Sequence, residues 1–154
     1  MSNRRAQIAL APDELAALLR EQRVLTCATI GRDGWPHLMP LWFVVRGGEC
    51  WSWTYAKSQK VRNLERDPRC TLQVETGDAY DELRGAMFKA QCVLHPELDT
   101  VAALGAEIAE RYGGARLGDA AREAIRGQAA KRVGLQFTVR EVATWDHRKL
   151  AGGY

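Results

Sequence analysis

"ECWSWTYAKSQKVRNLERDP", residues 49–68, is the stretch of sequence that decides the fold. Its first part, "ECWSWTY", alternates small or polar side chains with large aromatic ones, which is the pattern of a half-buried β-strand. The residues that follow predict a short basic helix, with Ser58 as its N-cap and Pro68 just beyond its end. The stretch therefore predicts a strand that runs directly into a helix whose first turn carries lysines.

The residues upstream predict two further strands. "RVLTCATI" (23–30) and "WPHLMPLWFVV" (35–45) are rich in β-forming residues and are separated by the turn signal "GRDG". "RGG" then joins the second of them to "ECWSWTY" in the clearest hairpin of the sequence. Pro36 and Pro40 predict that the strand over residues 35–45 lies at an edge, contains a bulge or follows a bent course.

Three more strands are predicted downstream, which brings the total to six. They are "RCTLQVE" (69–75), "LRGAMFKAQCVL" (83–94), with a kink near Gly85, and "KRVGLQFTVREVATW" (131–145). In the last strand apolar residues alternate through Val139, which predicts one buried face. Helices are predicted over residues 11–22 and 96–130, the latter broken at "GGARLG".

Six short strands joined mostly by hairpin-like turns predict a mainly β (α+β) fold. We expect a six-stranded antiparallel barrel with peripheral helices, in one domain over residues 1–154. A parallel βαβ sheet is not expected, because too few strands are separated by a full helix. Neither a G-x-G-x-x-G motif nor a P-loop is present to indicate a nucleotide fold of that type.

Charge and hydropathy narrow the class of protein. The net charge of +3 is far below that of a dense basic surface for nucleic acid, and it is compatible with a phosphorylated small ligand. No stretch approaches the roughly 18 apolar residues of a membrane span, and the charged N-terminus does not resemble a signal peptide. We therefore expect a cytoplasmic protein with no nucleic-acid or membrane partner.

The four cysteines, Cys27, Cys50, Cys70 and Cys92, all fall in predicted strands. None belongs to a CxxC motif or to a Cys/His pair at zinc spacing, so no metal site is expected. The sequence indicates four reduced thiols that are buried as small apolar side chains.

The first turn of the basic helix, with Lys57, Ser58, Gln59 and Lys60, is a candidate anion site. Backbone N–H groups are free at a helix N-terminus and carry a partial positive charge, so lysines are unfavourable there unless something compensates. A bound phosphate compensates, because the N–H groups, the Ser58 hydroxyl and the ammonium groups converge on it. The alternative is a solvated basic helix on the surface.

The preceding strand places aromatic rings on one face, since Trp51, Trp53 and Tyr55 alternate with smaller residues. Such a face suits a flat heterocycle with a phosphorylated tail. The alternative is that the indoles pack in the core or at a subunit interface. His37 is a further candidate pocket residue, and "WDHRK" (145–149) is either a surface ion-pair cluster or a ligand-binding segment.

Four segments together are similar to a known family: "LTCATIGRDGWPHLMPLWFV", "AKSQKVRNLERDPRCTLQVE", "YDELRGAMFKAQCVL" and "KRVGLQFTVREVATWDHRKL". In this order, over roughly residues 13–150, they resemble the pyridoxamine 5'-phosphate oxidase-like, FMN-binding split barrels. More narrowly, they resemble the actinobacterial flavin/deazaflavin oxidoreductase branch of that family.

The resemblance implies a homodimer of six-stranded split barrels with two cofactor sites at the subunit interface, each holding FMN or its 5-deazaflavin relative, coenzyme F420. It implies that Lys60 and the start of its helix hold the cofactor phosphate, and that Trp53 and Thr54 lie along the ring and the ribityl chain. The other implied site residues are Thr29 in the turn over residues 28–36, His37, Pro40 and Trp42 in the next strand, and Trp145 and His147 from the partner subunit.

The function that the resemblance implies is hydride transfer from F420 to an unsaturated small-molecule acceptor. The alternatives are an FMN-dependent oxidoreductase of the same fold and a non-catalytic cofactor-binding protein. One position departs from the family pattern: Ser58 stands where an arginine often precedes the conserved lysine by two residues, so Lys57 or Arg62 would supply that charge. The substrate-binding arginine and histidine of the true oxidase have no match, so oxidation of pyridoxamine phosphate is not expected, and no side chain is assigned as a catalytic acid or base.

Overall fold

A computed structural model describes residues 3–150, and the remaining terminal residues of the chain lie outside the described part. Its strands are β1 (Leu25–Ile30), β2 (Pro36–Leu41), β3 (Val44–Arg46), β4 (Glu49–Tyr55), β5 (Arg69–Thr76), β6 (Arg84–His95) and β7 (Arg132–Asp146). Its α-helices are α1 (Arg4–Gln7), α2 (Pro12–Glu21), α3 (Gln59–Arg66), α4 (Leu98–Gly113) and α5 (Asp119–Ala129). The strands pair antiparallel in the order β2-β1-β5-β6-β7-β4-β3 and curl into a half-barrel, which confirms the predicted mainly β (α+β) split barrel.

Seven strands are described where the sequence predicted six, because the strand expected over residues 35–45 is divided. β2 pairs with β1 at one edge of the sheet, and β3 pairs with β4 at the other. Between them Phe43 is fully buried, and its N–H donates to the Tyr112 hydroxyl at 2.9 Å. The chain therefore bends at Phe43, and Pro36 and Pro40 both lie in an edge strand, one of the outcomes that the prolines predicted.

The kink predicted near Gly85 is wrong, since the pairing of β6 with both its neighbours continues in register through this residue. A Cβ atom at Gly85 would lie 2.3 Å from the ring of Trp145. The glycine therefore makes room for this indole rather than bending the strand.

A β-bulge interrupts β7 at Arg140. Lys89 of β6 pairs with Glu141 and the next residue of β6 pairs with Val139, so Arg140 has no partner in the ladder. Beside the bulge Val139 is 36% exposed, whereas Phe137 is fully buried. The apolar alternation predicted for this strand is therefore wrong at Val139.

The interior of the half-barrel is apolar and contains the cysteines. Its largest fully buried side chains include Phe43, Phe137, Leu18, Leu25 and Leu72. All four cysteines are buried and free, as predicted. Burial raises the pKa of the Cys50 thiol to about 12, so this group stays protonated and behaves as a small apolar side chain.

The helical predictions are confirmed. The helix over residues 11–22 is α2, and the break at "GGARLG" separates α4 from α5, with Gly114 ending α4 in the left-handed conformation at φ 72°. Within residues 3–150, no helix has both the length and the apolar character needed to cross a membrane.

Helix α4 covers the outer face of β4. Leu104 and Ile108 of the helix pack with the rings of Trp51 and Trp53, which are half-buried. Gly105 allows this close approach, because a Cβ atom there would lie 2.4 Å from the Trp53 ring. The two indoles therefore belong to a second apolar cluster, on the side of the sheet opposite the barrel interior.

We expect Gly105→Ala to destabilise the protein by about 1–3 kcal/mol, because the added methyl group overlaps the Trp53 ring and outweighs the helix preference of alanine. Urea unfolding followed by tryptophan fluorescence measures the change. Gly127→Ala in α5 is the control, since no atom of residues 3–150 outside its own helix backbone and chain neighbours lies within 4 Å of its added Cβ. There the helix preference alone should stabilise by about 0.5–1 kcal/mol. Equal effects at the two positions would contradict the packing of Trp53 on α4.

Candidate functional site

Helix α3 begins without a side chain that caps it. Ser58 is the N-cap residue, as predicted, but its hydroxyl makes no capping hydrogen bond, and its Oγ atom is buried with no partner among the described residues. No acidic residue lies in the first turn. Free backbone N–H groups, this hydroxyl and the positive end of the helix dipole therefore meet at one place.

Lys60 points into the protein rather than toward solvent. It is 7% exposed, and its Nζ donates to Thr54 Oγ1 at 2.9 Å. Within residues 3–150, no carboxylate lies within 4.0 Å of this ammonium group. Burial lowers the pKa of Lys60, because desolvation disfavours the charged form. The alternative of a solvated basic helix therefore holds for Lys57 and Arg62, which are exposed, but not for Lys60.

Asn63 joins α3 to strand β1. It is fully buried, its Nδ2 donates to Thr29 Oγ1 at 3.0 Å, and its Oδ1 accepts from Gln59 Nε2 at 2.9 Å. The structure therefore brings two predicted site residues, Thr29 and Gln59, together through a third residue that the sequence analysis missed. A signal for it was present, because Asn63 follows Lys60 by three residues and shares its helix face.

A cavity of about 600 Å³ lies between the β1–β2 turn and the start of α3. Its lining includes two predicted site residues, His37 and Gln59, together with Arg32 and Trp35 of the turn over residues 28–36. The His37 Nδ1 atom is buried with no hydrogen-bond partner among the residues described, and Trp35 is 75% exposed. The cavity therefore offers polar groups and an aromatic ring beside the start of α3.

Trp53 and Thr54 lie on opposite faces of β4. Thr54 is buried beside Lys60, whereas Trp53 packs under α4, with the Arg132 guanidinium 4.4 Å from its ring centroid. Trp42 stacks on Tyr112 of α4, with ring centroids 4.4 Å apart. Within one chain, both indoles therefore pack against other side chains, which was the alternative to cofactor binding. Their contact with a cofactor stays a prediction.

Trp145, His147 and Pro40 lie away from Lys60 along the sheet. Thr54 pairs with the first residues of β7, whereas Trp145 lies near the other end of this long strand. His147 Nδ1 lies 2.9 Å from the carbonyl oxygen of Tyr80, and Pro40 is exposed on the edge strand β2. A contact of Trp145 or His147 with the start of α3, which the resemblance assigns to a second chain, therefore stays a prediction.

The segment "WDHRK" contains an ion pair. Asp146 Oδ2 accepts from Arg148 Nη2 at 2.6 Å, and this hydrogen bond lowers the pKa of the buried Asp146 carboxyl group. This geometry matches the ion-pair alternative for these two residues. In the described part of the chain, no three His, Cys, Asp or Glu side chains form a group that could hold a metal ion.

Comparison with protein families matches residues 11–146 to the pyridoxamine 5'-phosphate oxidase family. The chain belongs to this family. The family has a flavin-binding split-barrel fold and includes oxidases and reductases, which confirms the resemblance seen in the sequence. A comparison with curated proteins found no match.

Solved structures agree with this assignment. A conserved hypothetical protein of Mycobacterium tuberculosis, Rv2991, is 39% identical with a TM-score of 0.91, over 99% of this chain and 95% of that one. A protein named F420 reductase is 22% identical with a TM-score of 0.67, over 86% and 98% of the two chains. An FAD-binding protein of Mesorhizobium loti is 16% identical with a TM-score of 0.66, over 88% and 94%. The last two show the fold alone, and the mycobacterial protein fits the actinobacterial branch.

The start of α3 fits the phosphate group that flavins and deazaflavins carry. The unpartnered Ser58 Oγ and the free N–H groups of the first turn are donors, and Lys60 holds a positive charge that no carboxylate of the described chain neutralises. Lys57, exposed one residue before the N-cap, adds a second cation. This family member therefore keeps positive charge at the turn although Ser58 replaces the common arginine.

We expect the stability difference between the wild type and Lys60→Met to change with pH. The pKa of Lys60 is lower in the folded protein than its ordinary value of 10.5, so the unfolded chain binds this proton more tightly. The cost of burying the charge is therefore present at neutral pH and disappears as the pH rises toward 10.5, so the wild type gains stability relative to the variant. Urea unfolding at several pH values measures the difference in the free energy of unfolding between the wild type and the variant. Lys57→Met, at an exposed lysine, is the control. A difference for Lys60→Met that does not change with pH would contradict the burial of a charged Lys60.

Proposed function

We propose that this protein is an oxidoreductase that uses the deazaflavin coenzyme F420 to transfer a hydride to an unsaturated small-molecule acceptor. The observation that carries the proposal is the buried ammonium group of Lys60, which no carboxylate in residues 3–150 neutralises, beside a helix start whose Ser58 hydroxyl has no partner there. An anionic cofactor group at this place supplies the missing negative charge.

In this proposal the residues of α3 hold and orient the cofactor. The first-turn N–H groups and Ser58 Oγ donate to phosphate oxygens, and Lys60 and Lys57 supply positive charge. When bound, F420 supplies the hydride, so the chain contributes orientation and exclusion of water rather than a catalytic acid or base. His37 and Trp35 line the adjoining cavity, which receives the rest of the cofactor.

Two likenesses favour F420 over FMN. The sequence resembles the flavin/deazaflavin branch, to which the mycobacterial relative corresponds, and a protein named F420 reductase has the same fold. The FAD-binding protein supports a flavin at the level of the fold, so an FMN-dependent oxidoreductase is the second candidate. A cofactor-binding protein without turnover is the third.

We expect the purified protein to bind F420 more tightly than FMN in calorimetric titrations, and Lys60→Ala to weaken F420 binding about tenfold to a hundredfold. The reason is the loss of one charge-assisted contact, which contributes about 1.5–3 kcal/mol. Lys89→Ala is the matched control, because Lys89 is exposed on β6 and pairs with Glu141 at 2.9 Å.

Each other outcome of this titration selects a different candidate. Unchanged affinity of Lys60→Ala for F420 would reject its phosphate role. Tighter binding of FMN, with the visible absorption of a flavin in the purified protein, selects the second candidate. Tight F420 binding without turnover of enones, quinones or tetrapyrroles selects the third.

We also propose that two chains assemble into a homodimer that completes each cofactor site, in a reducing cytoplasm that suits the four free thiols. The distance of Trp145 and His147 from the start of α3 along β7 supports a site built from two chains. We expect light scattering at micromolar concentration to give the mass of two chains, and the mass of one chain would contradict this arrangement.

A further inference from the structure

A second cavity, of about 490 Å³, lies on the outer face of the sheet. Residues of β1, β5, β6 and β7 line it together with Gly34 and Pro36 of the β1–β2 hairpin. Pro36 also borders the cavity beside α3, so the two cavities share this lining residue. The volume is in the range of small-molecule sites.

The cavity exists because short side chains lie beside longer ones across the strands. Ala28 of β1 pairs with Thr71 of β5, which in turn pairs with Lys89 of β6. The two short side chains form a floor on the pleated outer face, and the long lysine stands beside it. Ile30 and Pro36, which pair across β1 and β2, extend this surface with apolar groups. A flat, apolar ring fits such a floor.

One positive charge at the cavity is not neutralised. Arg69 and Lys89 each pair with a neighbouring carboxylate, at 2.7 Å and 2.9 Å. Arg140 has no carboxylate within 4.0 Å in the part of the chain described, and its Nη2 donates to the amide oxygen of Gln91 at 2.7 Å. The Arg140 guanidinium group therefore keeps both its charge and further N–H donors for a ligand.

The β-bulge gives Arg140 its position at the cavity. As the extra residue between Val139 and Glu141, Arg140 is outside the regular alternation of β7. Bulges reorient a side chain in this way and are frequent beside binding sites. The hydrogen bond to Gln91 then fixes the guanidinium group at the rim.

We propose that this cavity binds a small planar molecule with a carboxylate group, whose ring lies on Ala28 and Thr71 and whose carboxylate accepts hydrogen bonds from Arg140. A guanidinium group binds a carboxylate with two parallel hydrogen bonds. The one unpaired positive charge at the cavity, on Arg140, therefore matches a ligand with one carboxylate group. Identifying this ligand class with the hydride acceptor rests on the proposed function, whereas the binding itself does not.

trans-Cinnamate is the probe, and cinnamamide, which has the same shape without the charge, is its neutral counterpart. Titration of the cofactor-free protein, followed by backbone amide NMR, should show saturable cinnamate binding with shifts at Ala28, Thr71 and Gln91. We expect cinnamamide to bind at least about tenfold more weakly, and Arg140→Gln to weaken cinnamate binding by the same factor. Arg116→Gln is the matched control, because Arg116 is exposed in the connection between α4 and α5.

Several results would overturn the inference: no saturable binding of cinnamate to the wild type, equal affinity of Arg140→Gln, or shifts confined to the cavity beside α3. Ala28→Leu gives a second test, because a larger side chain on the floor should weaken both probes and leave the charge at Arg140 in place. F420 titrations separate this inference from the proposed function. Cinnamate binding at Arg140 without F420 binding supports the carboxylate site and rejects the proposed function. F420 binding without cinnamate binding supports the cofactor of the proposed function and rejects the carboxylate site.

Discussion

Buried polar side chains hold helix α3 between two strands that are not neighbours in the sheet. Lys60 bonds to Thr54 of β4, and Asn63 bonds to Thr29 of β1. A buried polar group that loses its partner costs about 1–3 kcal/mol, so these bonds fix the helix in position and in rotation about its axis. The direction of the first turn, and with it the place where free N–H groups and positive charge meet, depends on this constraint.

The same constraint leaves the protein with a charge that the described fold does not neutralise. Val61 and Leu64 of α3 pack in the apolar core and stabilise the helix there. Lys60 shares this buried side, where its ammonium group has a hydroxyl as partner but no carboxylate. A methionine of similar length would fill the space without the desolvation penalty. The lysine is therefore better explained by an anion that binds than by the stability of the chain alone.

Local patterns predicted most of the fold, and tertiary contacts explain what they missed. The alternation of "ECWSWTY", the Gly47-Gly48 turn and the break before α5 depend on neighbouring residues, and all three are correct. The bend at Phe43 depends on Tyr112, which is distant in sequence, and the bulge at Arg140 depends on the register of two long strands. Pro36 and Pro40 indicated a bent course over residues 35–45 but not its position at Phe43, and the bulge has no local signal.

The candidate site shows the same limit. The burial of Lys60 could be predicted from the sequence, because Lys60 precedes Leu64 by four residues and so lies on the same face of the helix. Alternation also separates Trp53 from Thr54, so one chain cannot place both side chains on the same side of β4. The resemblance alone gathered them into one site, and the contact of both residues with one cofactor stays a prediction.

Pro36 lines both cavities and so connects the two proposals. Hydride transfer requires the donor and acceptor atoms to approach within about 3–3.5 Å, so an acceptor cavity must share a boundary with the cofactor cavity. Pro36 is that shared boundary, and its ring fixes the backbone angle φ at the start of β2. Thr29, which lines the outer cavity and bonds to Asn63, ties the same boundary to α3. The bonds that orient the proposed phosphate-binding turn thus also fix residues that line the two cavities, so in both proposals the approach of donor and acceptor depends on the placement of one helix.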